Sequence, residues 1–406
     1  MTDRQDRMVP GPERRTPKAE LDGRATALQG RMAQKGIDSA LIVQNADLLY
    51  FAGTVQPALL LMRAAGEPLL FVRKNPGRAR EESLLRHVVP MDSPRDLPEL
   101  LKGCGVGRTG RLGMELDVLP ANLAARLQKL LSPEEVVDIS PAIQAVRAVK
   151  SAYEIGLIGE AAAMADFMFG TARGSLRAGM TELELAGRIE AEARAQGHQG
   201  FVRMRAFNQE IYWGYLISGP DSAVPAFIDT TSGGRGVSVA FPSGAGPRPI
   251  GRREPVIFDL VGIAEGYNSD QTRTLCIGPL PAALDKALEV SLDILRALAG
   301  MAGPGVAAGE LFNKAERIAA AAGLEEHFMG HGREKARFCG HGIGIELDEL
   351  PVLAQGNRMP LVPGMVFTIE PKFAFPGIGA VGVEDNFAVT ESGVRRLTVS
   401  NYDVEV

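Results

Sequence analysis

The 406-residue sequence is 45% hydrophobic and 23% charged, with a net charge of −5 and a pI of about 5.7. This composition is ordinary for a globular protein with sizeable cores, and it provides neither a basic nucleic-acid-binding surface nor a polybasic membrane-binding patch. We therefore expect no nucleic acid and no membrane among its partners. Three widely spaced cysteines form no CxxC pair, which argues against zinc ribbons and redox dithiols and fits a reduced cytoplasm.

The first twenty residues are polar and rich in Pro and Arg, and they predict a disordered tail over residues 1–20. They lack the apolar run of a signal peptide, and we identify no stretch of 18 apolar residues elsewhere in the sequence. The sequence therefore predicts a cytoplasmic protein.

Residues 21–145 alternate helical and strand-like patterns, which predicts an α/β domain with helices packed on a sheet. LDGRATALQGRMAQKG spaces apolar residues at helical intervals and ends at Gly36, while SALIV and PLLFV are short apolar runs typical of buried strands. The glycine cluster at 103–110 follows no convincing strand, so we interpret it as a turn rather than a phosphate-binding loop.

A second domain is predicted over residues 146–406. Two capping boxes, Ser151–Glu154 and Thr181–Glu184, predict the starts of two helices, because hydroxyl and carboxylate groups three residues apart can satisfy the exposed amides reciprocally. Beyond residue 210 the pattern is rich in strands, and helices follow at 281–299 and 309–323. The glycine-rich stretch 228–254 is either a solvated surface excursion or a functional loop whose arginines reach an anionic group.

Four acidic residues stand where the apolar pattern predicts buried side chains. The stretch containing Asp259 and Asp270 predicts a β-hairpin, and two aspartates on one face of a hairpin repel each other unless a cation lies between them. The alternative is that one aspartate caps a turn while the other pairs with Arg273. Glu370 ends one apolar strand, and Glu384 lies in another.

His341, the fifth candidate, lies between two glycines, whose small size allows a ligand or a backbone to approach closely. One buried acid would be an oddity, but four acids and a glycine-flanked histidine are better explained by shared cations. Four carboxylates and an imidazole without a thiolate favour Mn²⁺, Co²⁺, Fe²⁺ or Zn²⁺ at a reactive site over a structural zinc, and among these we prefer Mn²⁺. Two such ions could share a hydroxide that acts as a nucleophile at neutral pH.

These residues resemble the metal motif of the creatinase / aminopeptidase P / prolidase family of pita-bread metallopeptidases. The resemblance lies in D259…GYNSDQTRT, GHGIG, TIEP and VED, in the order of the five ligands and in the eleven-residue step between the aspartates. It extends to AVRAVKSAYEI, RAGMTELEL and LLYFAG, and so covers nearly the whole chain. The resemblance implies a creatinase-like α/β N-terminal domain and an α+β pita-bread catalytic domain.

The resemblance also implies a role for each ligand. Asp259 would chelate one of two ions, Asp270 and Glu384 would bridge both, and His341 would complete the second ion together with Glu370. The catalytic role falls to Glu370, which would carry a proton from the nucleophilic water.

Three positions depart from the family's pattern. Where its peptidases usually carry two auxiliary histidines this sequence has Ala226 and Asp348, and the arginine often found two residues before the last glutamate is replaced by Gly382. Alanine cannot donate a hydrogen bond to a developing oxyanion, and an ionised aspartate cannot either. As substrate-binding candidates we name Asp348, which is otherwise a surface carboxylate, and Trp213, which is otherwise part of an aromatic core.

The sequence thus predicts an enzyme that is a dinuclear metal-dependent hydrolase of the Xaa-Pro aminopeptidase or dipeptidase type. Its partner would be a small peptide or another small molecule, and we expect a homodimer. Two alternatives stay open at this point. One is a metal-dependent enzyme that cleaves C–N or C–S bonds of a non-peptide, and the other is a metal-binding scaffold without catalytic activity.

Overall fold

The computed structural model describes residues 14–406 and divides them into two compact units. The N-terminal unit ends at Arg147 and also includes 205–207, and the C-terminal unit comprises 148–204 and 208–406. The boundary expected between residues 145 and 146 falls in the last turn of the helix that ends at Arg147. Most of the expected tail, residues 1–13, lies outside the described residues. The first helix begins at Lys18, so the tail prediction was wrong for residues 18–20.

The N-terminal unit is a six-stranded mixed sheet with helices, as predicted. The strand order is β4-β3-β2-β1-β5-β6, with β1–β2 and β2–β3 antiparallel and the other pairs parallel. The strands are β1 Ser39–Ile42, β2 Ala58–Arg63, β3 Leu69–Val72, β4 His87–Pro90, β5 Arg111–Met114 and β6 Glu135–Asp138. The helices are α1 Lys18–Gln34, α2 Asn45–Ala52, α3 Pro76–Glu82, α4 Leu97–Gly103, α5 Ala121–Leu131 and α6 Ser140–Arg147. The apolar runs predicted as buried strands form β1 and β3, both fully buried.

A buried cluster of charges lies within this unit. The Asp47 carboxylate accepts hydrogen bonds from Arg147 Nη1 at 2.7 Å and Arg205 Nη1 at 2.9 Å. Burial opposes ionisation of Asp47, but the two guanidinium groups hold its pKa below the ordinary value. Burial, and then the charge of Asp47, raises the pKa of Glu115 well above its ordinary value. The pair of acids therefore retains a proton that exposed carboxyl groups would lose.

The C-terminal unit contains four helices and ten strands in the described residues. The helices are α7 Ala152–Ser175, α8 Glu182–Ala195, α9 Ala282–Met301 and α10 Ala308–Ala321. The strands are β7 Gly214–Ser218, β8 Val256–Ala264, β9 Tyr267–Leu275, β10 Phe338–Gly342, β11 Glu349–Ala354, β12 Val366–Ile369, β13 Lys372–Phe375, β14 Gly379–Gly382, β15 Asp385–Val389 and β16 Val394–Arg396. They form a five-stranded sheet (β11-β10-β12-β15-β16), a three-stranded sheet (β7-β8-β9) and a hairpin (β13-β14).

Both predicted capping boxes are present and begin α7 and α8. Ser151 Oγ accepts from the amide of Glu154 at 3.2 Å, and Thr181 Oγ1 accepts from the amide of Glu184 at 3.1 Å. Helix α7 packs closely on β8 and β9, since a Cβ atom at Gly262 would lie 2.1 Å from the carbonyl oxygen of Ala161. By length and composition α7 would suffice to cross a membrane, but half of its most apolar window is buried in this core.

Candidate metal centre

Asp259 and Asp270 lie on neighbouring strands of the predicted hairpin. Strands β8 and β9 are joined by Glu265 and Gly266, which have φ values of 49° and 84°, as a tight two-residue hairpin turn requires. The aspartates are diagonal neighbours rather than directly opposite, because Asp259 pairs with Thr272 and Asp270 pairs with Val261. Thr272 Oγ1 lies 2.9 Å from Asp259 Oδ1 and so orients that carboxylate. The predicted alternative, an ion pair with Arg273, is not what forms, since Arg273 pairs with Asp385.

His341 lies at the end of β10, held by its glycine neighbours. A Cβ atom at Gly340 would lie 2.1 Å from the carbonyl oxygen of Thr368, and one at Gly342 would lie 2.2 Å from that of Leu350, so both positions need glycine. His341 Nδ1 lies 3.1 Å from the carbonyl oxygens of Gly342 and Leu347, which makes Nδ1 the protonated nitrogen. When the ring is neutral, this leaves the lone pair of Nε2 toward the cluster, the arrangement usual for a metal-bound imidazole.

Both glutamates lie in short breaks between strands, Glu370 between β12 and β13 and Glu384 between β14 and β15. Glu370 follows β12 directly, as predicted, and its amide donates to the carbonyl of Cys339. Glu384 was predicted inside a strand, but it lies between β14 and β15, where its amide donates to the carbonyl of Thr272 at 3.0 Å. The break between these strands turns Glu384 toward Thr272, whose hydroxyl lies 2.9 Å from Glu384 Oε2.

The five side chains converge in one buried cluster. Asp270, His341 and Glu384 each offer a ligand atom within 4.8 Å of the others, and His341 Nε2 lies 3.6 Å from Glu370 Oε1. Three buried oxygens of the cluster have no hydrogen-bond partner among the described residues: Asp270 Oδ1, Glu370 Oε1 and Glu384 Oε1. Unpartnered buried carboxylate oxygens are costly, and a divalent cation among them would remove that cost. These side chains therefore fit a metal ion bound beside the three unpartnered oxygens.

The sequence analysis missed a sixth member of the cluster, Lys372. Its side chain is 1% exposed, and Nζ lies 2.8 Å from Asp259 Oδ2, 2.8 Å from Glu370 Oε2 and 3.4 Å from Glu384 Oε2. Its position two residues after Glu370, at the start of the otherwise apolar strand KFAF, is the signal that could have revealed it. A charged side chain on the face of a buried strand needs a partner of opposite charge.

The protonation states of the cluster reflect its excess of negative charge. Burial, and then the charge of Glu384, raises the pKa of Asp270 well above its ordinary value, and burial raises that of Glu384 to about 8. Burial opposes the charged form of Lys372, but Asp259 and Glu370 raise its pKa well above the ordinary value. The pKa of His341 rises to about 9, since Asp348 and Glu370 outweigh the opposing effect of burial. Without added cations the cluster therefore retains protons.

A cavity of about 50 Å³ opens onto the cluster. By the usual ~10–15 Å³ per molecule, it holds several waters or a small polar group. Its lining comprises Met204, Gln209, Ile211, Gly214, Tyr215, Ile228, Asp229, Thr230, Asp259, Val261, Asp270, Phe338, His341, Leu347, Asp348, Glu370 and Lys372. Burial raises the pKa of Tyr215 to about 12, so its hydroxyl keeps its proton at neutral pH.

The two substrate-binding candidates lie in different places. Asp348 lines the cavity, and its Oδ1 lies 3.3 Å from His341 Nδ1 while its side chain is 47% exposed. Trp213 is buried in an apolar cluster with Met168 and Phe258, in agreement with the aromatic-core alternative. Trp213 lines a separate small cavity rather than the cavity at the cluster.

The segment that begins at residue 228 contributes to the cavity only at its start. Ile228, Asp229 and Thr230 line the cavity, Thr231 and Ser232 are buried, and the tip around Val239 is exposed. Two arginines of this segment are engaged locally: Arg248 binds Glu254 at 2.5 Å, and Arg235 binds Asp221 at 3.0 Å. The solvated-excursion alternative therefore describes the tip, while the base belongs to the cavity wall.

Comparison with known proteins is consistent with this geometry. The model of metallopeptidase family M24 matches residues 156–391, and that of the creatinase/prolidase N-terminal domain matches residues 24–149. A Xaa-Pro dipeptidase of Pyrococcus horikoshii is 30% identical over 369 residues, which cover 90% of this chain and 94% of the relative. One of Pyrococcus furiosus is 29% identical over 90% of this chain and 95% of the relative. The crystal structure of the prolidase from Pyrococcus horikoshii superposes with a TM-score of 0.79 at 27% identity, covering 94% of this chain and 99% of that one.

Proposed function

The chain belongs to metallopeptidase family M24, and on that premise we propose that it hydrolyses Xaa-Pro peptides with divalent metal bound by the buried cluster. The predicted family, the pita-bread fold with its creatinase-like N-terminal domain, and the predicted class of metal-dependent peptidase are confirmed by these matches. The activity toward Xaa-Pro bonds, the choice of Mn²⁺, the homodimer and the cytoplasmic location belong to the proposal.

One observation carries the proposal: three buried carboxylate oxygens of the cluster have no hydrogen-bond partner among the described residues, and Asp270, His341 and Glu370 of this cluster line a cavity. We assign the ligands as Asp259, Asp270, His341, Glu370 and Glu384. Divalent metal at such a site lowers the pKa of bound water and polarises a substrate carbonyl.

The chain's own residues supply the other parts of the chemistry. Glu370 lines the cavity, and its Oε1 has no hydrogen-bond partner among the described residues, so we assign Glu370 to take the proton from the attacking water. Asp229 and Asp348 line the same cavity, and burial, followed by the charge of Asp348, raises the pKa of Asp229. This acidic wall suits the free ammonium group of a short peptide. Tyr215 lines the cavity too, and because its hydroxyl keeps its proton it can act as a neutral hydrogen-bond donor.

The test is hydrolysis of Xaa-Pro dipeptides by chelated protein resupplied with Mn²⁺, with Xaa-Ala dipeptides as matched substrates. We expect turnover that requires metal and prefers proline, and none from an Asp270→Ala variant. Equal activity of the chelated and reloaded proteins would refute the proposal.

A second candidate is hydrolysis or lyase cleavage of a small cationic non-peptide at the same site. It is favoured by the acidic cavity wall and by Asp348 in place of a histidine, since two carboxylates attract an amine whether or not a peptide bond follows. A panel of small amides and amines that are turned over while Xaa-Pro dipeptides are not would select this candidate.

A further inference from the structure

The buried ammonium of Lys372 divides the oxygens of the cluster into two sets. On its side, one oxygen each of Asp259, Glu370 and Glu384 accepts from Nζ, at 2.8, 2.8 and 3.4 Å. The second oxygen of Asp259 is held by Thr272 Oγ1 at 2.9 Å, so neither oxygen of Asp259 is unpartnered. The Asp259 side of the cluster is thus already satisfied by groups of the protein.

The opposite side of the same cluster is not satisfied. Glu370 and Glu384 each have a second oxygen, not bonded to Lys372, that has no hydrogen-bond partner among the described residues, and Asp270 Oδ1 is a third such oxygen. His341 Nε2 lies 3.6 Å from Glu370 Oε1 and 3.9 Å from Asp270 Oδ2. Ligand atoms able to take a cation therefore converge on the His341 side, and the cation of the Asp259 side is Lys372 itself.

The fold provides room for this lysine opposite Gly382, the residue that replaces the arginine often found in the resembled family. Lys372 pairs with Gly382 across the β13–β14 hairpin, and a Cβ atom at Gly382 would lie 2.6 Å from Lys372 Cγ. Any larger residue at 382 would thus push the lysine out of the position in which it meets the carboxylates. Of these two positions, only 372 carries a positive charge, and the Lys372 ammonium lies among the proposed metal ligands.

Charge balance makes the two sides unequal. The cluster contains four carboxylates and one ammonium, so one divalent ion on the His341 side brings the ionised groups to a net charge of −1. A second divalent ion beside Asp259 would compete directly with Lys372 Nζ for Asp259 Oδ2 and Glu370 Oε2. Like charges at such distances in a buried site repel strongly.

We propose that Lys372 is an internal cation that makes the two metal positions of this site unequal: one ion binds tightly on the Asp270–His341–Glu384 side, and a second binds only by displacing the ammonium from Asp259. Since Lys372 also lines the cavity, the displaced side chain has space to turn into it. The inference rests on metal binding in the proposed function, and it is independent of the peptide substrate.

The test is a Mn²⁺ titration of the chelated full-length protein under anaerobic conditions. We expect one tight ion and a second whose affinity is weaker by on the order of 100-fold, because the second ion must break two charge-assisted hydrogen bonds. In Lys372→Ala the two affinities should come within about tenfold of each other. Lys286→Ala removes an exposed lysine of the same unit and should behave as wild type.

Electron paramagnetic resonance of the wild type gives a second readout that needs no variant. Up to one equivalent of Mn²⁺ we expect the signal of isolated bound ions, with the exchange-coupled pair appearing only in excess metal. Two ions of equal affinity, or a coupled signal at half loading, would overturn the inference and leave the proposed function intact. If neither the wild type nor Lys372→Ala binds metal, the metal-dependent function fails as well.

Discussion

Glu384 and Asp385 are adjacent, both are fully buried, and their carboxylates meet opposite surroundings. Asp385 accepts from Arg273 Nη2 at 2.7 Å and Thr398 Oγ1 at 2.6 Å through one oxygen, and from the Tyr402 hydroxyl at 2.5 Å through the other. Glu384 keeps one oxygen without any partner among the described residues. Neighbouring acids in one sequence motif thus serve different purposes.

The difference shows how a structural acid can be distinguished from a metal ligand. Arg273 directs its five N–H groups to Thr272, Glu384, Asp385, Ser400 and Asn401, so the Asp385 side is closed by protein donors alone. On the Glu384 side, three of the four carboxylates share the ammonium of Lys372, and some carboxylate oxygens are left without a hydrogen-bond donor among the described residues. A buried acidic site that lacks donors is completed either by a bound cation or by retained protons.

The largest expected effect comes from Asp385, whose carboxylate is paired by protein donors alone. Asp385→Ala leaves the Arg273 guanidinium, 1% exposed, without its counter-charge, and we expect a loss of about 3–5 kcal/mol in the free energy of unfolding. Denaturant unfolding of the metal-free variant measures it, with Asp403→Ala as the matched control at an exposed aspartate of the same unit. A loss below ~1 kcal/mol would contradict the structural role of Asp385.

Bound metal should stabilise the folded protein through the unpartnered carboxylates around Glu384. At a free Mn²⁺ concentration of 100 times the dissociation constant, we expect the wild type to gain about 2.7 kcal/mol against unfolding, since the ion binds the folded cluster. Asp270→Asn, which removes an oxygen from the tight position, should gain little under the same conditions. Thermal unfolding with and without Mn²⁺ gives both values, and equal gains in the two proteins would place the metal elsewhere.

Glu115 in the N-terminal unit is a third kind of buried acid, one whose carboxyl group retains a proton. The folded pKa of Glu115 is raised above its unfolded value, so its contribution to stability is complete below about pH 4.5 and declines as the pH rises. Glu115→Gln does not titrate there. The variant should therefore become more stable relative to wild type by at most about 1.4 kcal/mol per pH unit above pH 4.5. Unfolding at pH 5, 6 and 7 tests this, and a pH-independent difference would refute it.

The smallest expected effect concerns the metal-free cluster. Asp270→Asn removes one of the carboxylates that repel each other and should stabilise the metal-free protein by about 1 kcal/mol, because the pKa of Asp270 is raised by burial and by Glu384. Chemical unfolding in the presence of a chelator measures the change. A clear destabilisation would indicate that Asp270, like Asp385, is held by protein donors.

Much of the fold and the five candidate ligands could be predicted because their signals are local. Capping boxes, short apolar runs and acids at buried strand positions are readable within a few residues, and the family motif ordered the ligands. The relation of Lys372 to Gly382 could not be predicted, since it depends on the register of a hairpin. Glu384 and Asp385 could not be told apart either, because the donors of Asp385 lie at residues 273, 398 and 402.

The central claim is that the unpartnered oxygens around His341 bind metal, and the metal content of the purified protein tests it most directly. After anaerobic loading with Mn²⁺ and removal of free ions, we predict at least one ion per wild-type chain and a large loss of bound metal in Asp270→Ala. Less than one ion per wild-type chain, or equal content in the two proteins, would contradict the claim.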